Sequence, residues 1–275
     1  MSKKSTLLRL GYPVILVSLS VIYFLPVVSS QNTIAPEDTS KNVTASITAK
    51  GVGFPRISYE NGKDLSSDSA NQSGSSAKMM ASGDFDSDGT LDLVTADSGG
   101  GIKFFRGNVD SIYQNSPEAA SRRELGTFVD SPFYLGSAIS NIPAAPDFFA
   151  AGDFNADGHQ DIIAAAKGGS VLYLFAGDGN GSLSNASEIK VDGEITQLTT
   201  GEIGRNDGQT DVVVSINSDN TSRLLVFEHP EGAFKHGPEV INLVGETNAL
   251  AVGHLDEDSF GDIAVASGNR LTLVH

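Results

Sequence analysis

The 275-residue chain contains no cysteine and no tryptophan. Without thiols neither a disulfide nor a thiolate metal site can form, so any staple in the fold must be of another kind. Aromatic residues make up only 7% of the chain against 30 glycines, a balance that suits a turn-rich β protein better than a helical bundle. Positive charge is scarce as well: 18 basic residues face 34 acidic ones, for a formal charge of −16. Such a surface repels phosphate backbones, which argues against nucleic acid as a partner and in favour of cations. No Gly-x-Ser-x-Gly elbow, P-loop or His-Glu-x-x-His pattern occurs, and the five histidines are scattered. The Gly-rich stretches 167–170 and 177–181 join β-prone runs rather than opening a helix, so they read as turns and not as phosphate cradles.

One long apolar run is present, at residues 12–28, broken only by Ser18 and Ser20. Lys3, Lys4 and Arg9 precede it and the small residues Ser29 and Ser30 follow it, the order of an export signal. Its 17 residues also sit at the edge of what spans a bilayer, so residues 1–30 are expected to be a signal peptide or a retained N-terminal anchor. Both versions place the remaining chain outside the cytoplasm: secreted, periplasmic or at the cell surface, with membrane contact only through that segment. Residues 31–76 are rich in Ser, Thr, Asn, Lys and Gly and read as a polar linker with at most one strand, at 52–57.

From residue 77 onward the chain repeats itself. Four related stretches begin at 83 (GDFDSDGTLDLV), 152 (GDFNADGHQDII), 201 (GEIGRNDGQTDVVV) and 253 (GHLDEDSFGDIAV), spaced 69, 49 and 52 residues apart. A short small-or-apolar segment precedes each one and a β-branched run follows it. A turn then leads to a second apolar run, as in LDLVTA and IKFFRG, DIIAAA and VLYLFAG, and VVVS and RLLVFEH across residues 216–222. A third, weaker strand is expected at 132–135, 188–191 and 239–244. Each unit is thus about four strands, and repeats of this length point to the four-stranded blades of a β-propeller. Three units are complete and a fourth is begun. The chain stops at LTLVH, within the second hairpin strand of that fourth unit. The expectation is a fragment of a longer product, or strands supplied from elsewhere, because an open sheet edge is an aggregation hazard. Residues 52–57 can donate one strand but not the missing blades.

The acidic loop carries the chemistry. Counting from Asp84, oxygen ligands fall at positions one, three, five and nine, at Asp84, Asp86, Asp88 and Asp92, with the backbone carbonyl of Thr90 at position seven. The second copy offers Asp153, Asn155, Asp157 and Asp161, with the carbonyl of His159 at position seven. Carboxylates this close repel one another unless a cation lies among them, and so many oxygens suit calcium better than magnesium. Gly89 and Gly158 hold position six, where the loop must turn sharply and a side chain is expected to obstruct it. An EF-hand is excluded because position twelve is Thr95, Ala164 or Val265 rather than Glu, inside a β-prone run. The fourth copy keeps Asp256, Asp258 and Asp262 but has His254 at position one and Ser259 at position six, so a weaker site is expected there. The third copy, with Glu202, Gly204, Asn206 and Asp211 and one extra residue, is assigned no metal. The calcium is expected to be structural, pinning the loop between two strands.

The pattern Gly-Asp-Phe-Asp/Asn-x-Asp-Gly-x-x-Asp, followed by Ile, Leu or Val and a Gly-rich hairpin, resembles the FG-GAP or VCBS-type repeats of integrin α-subunit propellers and many exported bacterial proteins. The resemblance covers roughly residues 77–275, closely in the first two copies and loosely in the last two. It implies an all-β fold, a propeller of FG-GAP blades, commonly seven of them. It also implies a non-catalytic binding or adhesion scaffold whose ligand is a protein or a carbohydrate. The alternative is the propeller portion of an extracellular hydrolase or lyase whose catalytic residues lie outside this chain.

Overall fold

Runs such as IIAA at 162–165 are too short for a helix and apolar at every position, so they need cover on both faces. The computed structural model shows how that cover is provided; it describes residues 77–275 except 135, 205, 206 and 259. The chain divides into two units, Met1–Asn61 and Gly62–His275, and all described residues lie in the second. The expected export segment at 1–30 and linker at 31–76, with its strand at 52–57, lie outside the described residues. Among the described residues no helix is long and apolar enough to cross a membrane.

Four antiparallel sheets follow one another along the chain. The first holds β1 (Ala77–Gly83), β2 (Asp92–Asp97), β3 (Gly101–Phe105) and β4 (Ser137–Asn141). The second holds β5 (Phe148–Gly152), β6 (Asp161–Ala165), β7 (Val171–Phe175) and β8 (Ser187–Lys190). The third holds β9 (Glu194–Gly201), β10 (Asp211–Ser218), β11 (Thr221–Phe227) and β12 (Glu239–Leu243). The fourth has three strands, β13 (Thr247–Gly253), β14 (Asp262–Ser267) and β15 (Arg270–Val274). In every sheet the spatial order is the chain order, so each is a simple meander. First strands adjoin first strands, β1 beside β5, β5 beside β9 and β9 beside β13. Four-stranded meanders arrayed along their first strands are propeller blades.

The core lies between blades rather than within one. Ile162 and Ala164 of β6 pack with Val94, Ile102 and Phe104 of the first blade, while Ile163 and Ala165 pack with Val212, Val214 and Ile216 of the third. The strand's period of two therefore sends alternate residues into opposite interfaces, which accounts for its continuous apolar sequence. Val213 turns the other way and joins Ile263 and Val265 of the fourth blade.

The first blade departs from the sequence reading. The third strand expected at 132–135 is instead β4, at Ser137–Asn141; of the expected strand, residue 135 lies outside the described residues, and only Phe133 forms a bridge, to Gly107. The displacement comes from two short helices between β3 and β4, α1 (Val109–Ile112) and α2 (Pro117–Glu124). Asn108 caps α1 by accepting from the Asp110 N–H, and Ser116 caps α2 by accepting from the Ala119 N–H, with Pro117 at the first helical position. A fully buried Asp110 ties α1 to α2 through a bidentate pair with Arg122. In the third blade the strands run longer than expected and meet at Asp219 and Asn220, both with positive φ (50° and 60°), the signature of a two-residue type I′ hairpin. The expected strands at 188–191 and 239–244 appear within one residue, as β8 and β12.

Candidate functional site

Each acidic loop joins the first strand of its blade to the second, so position one directly follows β1, β5, β9 or β13 and position nine opens β2, β6, β10 or β14. The four position-nine aspartates, Asp92, Asp161, Asp211 and Asp262, are between 0% and 3% exposed. Their oxygens are held by backbone donors. Asp161 accepts from the Phe154 N–H at 3.0 Å and from the Gly177 N–H at 2.8 Å. Asp92 accepts from Phe85 at 2.9 Å and from Gly107 at 2.7 Å. Asp211 accepts from Ile203 and Asp262 from Leu255, both at 2.8 Å. One carboxylate thus fastens the start of the loop and, in the first two blades, also the chain just beyond the third strand. Burial raises the pKa of Asp92, Asp161 and Asp211, whereas the bond from the Leu255 N–H lowers that of Asp262. Asp161 is pushed up to about 6 against its two backbone donors, with repulsion from Asp157 and Asp153 adding to the rise. Asp211 is pushed up to about 7, first by burial and then by the charges of Glu228, Asp207 and Glu202.

In the first two blades, position two locks the loop to the next blade. The rings of Phe85 and Phe154 are 3% and 1% exposed. Their carbonyls accept from Gly181 at 3.0 Å and Ala233 at 2.9 Å, residues of the following blade. The loop is therefore part of the interface between blades, which is why charge and buried strand adjoin in the sequence.

The first two loops share one backbone course. Ser87 and Ala156, at position four, have φ of 54° and 63°, and Gly89 and Gly158, at position six, have φ of 83° and 84°. A Cβ on either glycine would meet nothing within 4 Å, so the expected obstruction is absent and it is the left-handed backbone that calls for glycine. Asp84 accepts from the N–H groups of Asp88 and Gly89 at 3.0 and 2.9 Å. Asp153 accepts from those of Ala156, Asp157 and Gly158 at 2.8, 3.3 and 2.8 Å. Asp88 and Asp157 each accept from the position-seven N–H, of Thr90 at 2.8 Å and of His159 at 2.9 Å. Asn155 accepts from the Asp157 N–H and donates to the Asp157 carboxylate, both at 2.9 Å.

Oxygens of Asp84, Asp86 and Asp88 all lie within 4.8 Å of one another. The Asp86 side chain is only 9% exposed, and its Oδ1 has no hydrogen-bond partner. A buried acceptor left over beside two further carboxylates is a donor set that fits a hard cation. In the fourth loop, Asp256 and Asp262 come together with His275, whose Nδ1 lies 3.0 and 2.8 Å from them. Asp258 accepts instead from the Phe260 N–H at 2.9 Å. The position-seven carbonyl of that loop, on Phe260, accepts from the His254 ring at 2.8 Å. Ser259, Arg205 and Asn206 lie outside the described residues. Away from the loops, a cleft of about 1350 Å³ at the opposite ends of the strands is lined by Asp192, Asn217, Asn220 and Asn242, among others.

Sequence reasoning missed Arg106. Its guanidinium pairs with Asp86 through Nε and with Asp88 through Nη2 at 2.9 Å. Burial opposes the arginine's charge, but Asp86 and Asp88 outweigh it and raise its pKa further. Asp88 is lowered despite its burial, by bonds from Thr90 and by Arg106. The signal was non-local, since Arg106 is 18 residues from Asp88 and follows a different strand.

Comparison with known proteins adds three findings. Residues 145–184 match the family described as FG-GAP repeat, a span that runs from before β5 through loop two to the turn after β7. No curated protein matches the chain. Among solved structures the chain is similar to BBS1N in complex with ARL6DN soaked with mercury, at 17% identity and a TM-score of 0.43. It is likewise similar to the same complex soaked with lead, at 16% identity and 0.45. Each alignment covers 73% of this chain and 54% of the other, so the chain spans about half the length of the solved chains it matches. The chain thus carries an FG-GAP repeat, which spans the first three strands of the second of the four β-propeller blades seen among the described residues.

Proposed function

We propose that this protein is an exported, non-catalytic propeller scaffold whose loops take calcium as a structural ion and whose ligand is a protein or a carbohydrate. The observation that carries the calcium reading is the shared course of the first two loops. Both have left-handed residues at positions four and six and an aspartate at position one that accepts from the N–H groups of positions five and six, and in the first loop the oxygens of Asp84, Asp86 and Asp88 come together. Asp153, Asn155, Asp157, Asp161 and the His159 carbonyl would hold the ion in the second loop; Asp84, Asp86, Asp88, Asp92 and the Thr90 carbonyl form the corresponding set in the first. Asp256, Asp258 and Asp262 would make the weaker site.

The ion would act through the fold. Neutralising a loop that already binds the next blade through its position-two carbonyl would hold the two blades together. Export rests on the basic start and apolar run of residues 1–30. The open polar cleft, with Asn217, Asn220 and Asn242, offers amide groups of the kind that bind sugars or a peptide backbone.

Thermal unfolding of the full chain with calcium and with a chelator tests this reading. A ligand at about 100 times its Kd stabilises the folded state by about 2.7 kcal/mol, on the order of 5–10 °C for a protein of this size. Identical melting curves in the two conditions would refute structural calcium.

A further inference from the structure

The first residue after the third strand of each blade occupies the same place, beside position three of that blade's acidic loop. In the first blade it is Arg106, which pairs with Asp86. In the third it is Glu228: a Cβ built on Gly204, the position-three residue, would stand 2.7 Å from the Glu228 Oε1. In the fourth it is His275, 3.0 Å from Asp256. In the second it is Ala176, and position three is Asn155. Strand register establishes the equivalence, because the residues preceding these four pair with the same point of the second strand: Phe105 with Leu93, Phe175 with Ile162, Phe227 with Val212 and Val274 with Ile263.

The partners are matched in charge and size. A cationic side chain faces Asp86, an imidazole faces Asp256 and a carboxylate fills the space left by Gly204, while at the same register position of the second blade stands an alanine, in the loop whose position three is the neutral Asn155. We infer that this position decides which loop takes an ion: Arg106 supplies the first loop with a counter-cation of its own, and calcium binds only where Ala176 leaves the loop open. The inference rests on the calcium reading above and narrows it to the second loop. A guanidinium is already bonded to one oxygen of each carboxylate at positions three and five, so calcium at the remaining Asp86 oxygen must displace it or lie against it. Displacement leaves a cation beside a cation in a partly buried place. Ala176 offers no such obstacle. Its side chain carries no charge and no donor, and Asp153, Asn155 and Asp157 there bond only to one another and to loop N–H groups.

The test is calcium stoichiometry of the full chain, by titration calorimetry with calcium chloride, on the wild type and on Asp157→Ala, Arg106→Ala and Ala176→Arg, with circular dichroism confirming the fold of each. The expected result is one ion in the wild type that Asp157→Ala removes, a second ion gained in Arg106→Ala, and loss of the ion in Ala176→Arg. Melting in chelator supplies an independent readout: Arg106→Ala should melt lower than wild type and recover on adding calcium. Two ions in the wild type, unchanged by Arg106→Ala, would overturn the inference and leave the calcium reading standing. No ion in wild type or in Arg106→Ala would overturn both.

Discussion

Asp211 provides a stringent check on the way these loops are built. It is 3% exposed at the start of β10, accepts one backbone bond from Ile203, and lies near Glu228, Asp207 and Glu202. Its pKa rises from 3.8 to about 7, chiefly through burial. A carboxyl raised in the folded state favours folding most when neutral, so its contribution is complete below about pH 4 and is lost as pH climbs through 7. A rise of that size is worth on the order of 4 kcal/mol between these limits, or about 8–16 °C in melting temperature. Asp211→Asn keeps an acceptor for Ile203 and removes the charge. In chelator the variant should melt close to wild type near pH 4 and several degrees above it at pH 8, the gap opening between pH 5 and 7. Melting curves at half-unit pH intervals measure this directly. A difference that stays constant with pH would refute the reasoning, because it would mean that Asp211 titrates alike in the folded and unfolded chains.

Other expectations follow from the same geometry. Gly177→Ala would place a Cβ 2.1 Å from the Gln160 carbonyl oxygen, a backbone atom that cannot swing away, and should cost several times more stability in urea unfolding than Gly158→Ala. The latter meets open space and should lose only about 1–2 kcal/mol to its left-handed backbone. Phe154→Ala empties a nearly fully buried site between the second and third blades and should cost about 3–5 kcal/mol in urea unfolding; a loss under 1 kcal/mol would show that the blades do not depend on this ring.

Much of the blade was legible because its signals are local. The loop spacing, the apolar runs on either side and the hairpin turns marked three strands in each blade, and the repeat marked three complete blades and the start of a fourth across residues 77–275. The helices α1 and α2 were missed although Ser116-Pro117-Glu118 is a helix-start signature, because short polar helices lack the apolar periodicity that marks longer ones. The place of Arg106, Glu228 and His275 was hidden for a different reason. They lie 14, 17 and 13 residues beyond position nine, since the hairpins differ in length, and only the strand register aligns them. Nor does a sequence tell an aspartate that binds a metal from one that binds backbone N–H groups: Asp161 presents the same oxygens to either, and the structure gives both of them to Phe154 and Gly177.

The central claim is that the second loop is a calcium clamp between blades. Anomalous diffraction from crystals of the full chain grown in calcium tests it most directly. The account predicts a peak enclosed by Asp153, Asn155, Asp157, Asp161 and the His159 carbonyl, absent in crystals of Asp157→Ala. A second loop without a peak at saturating calcium would contradict it.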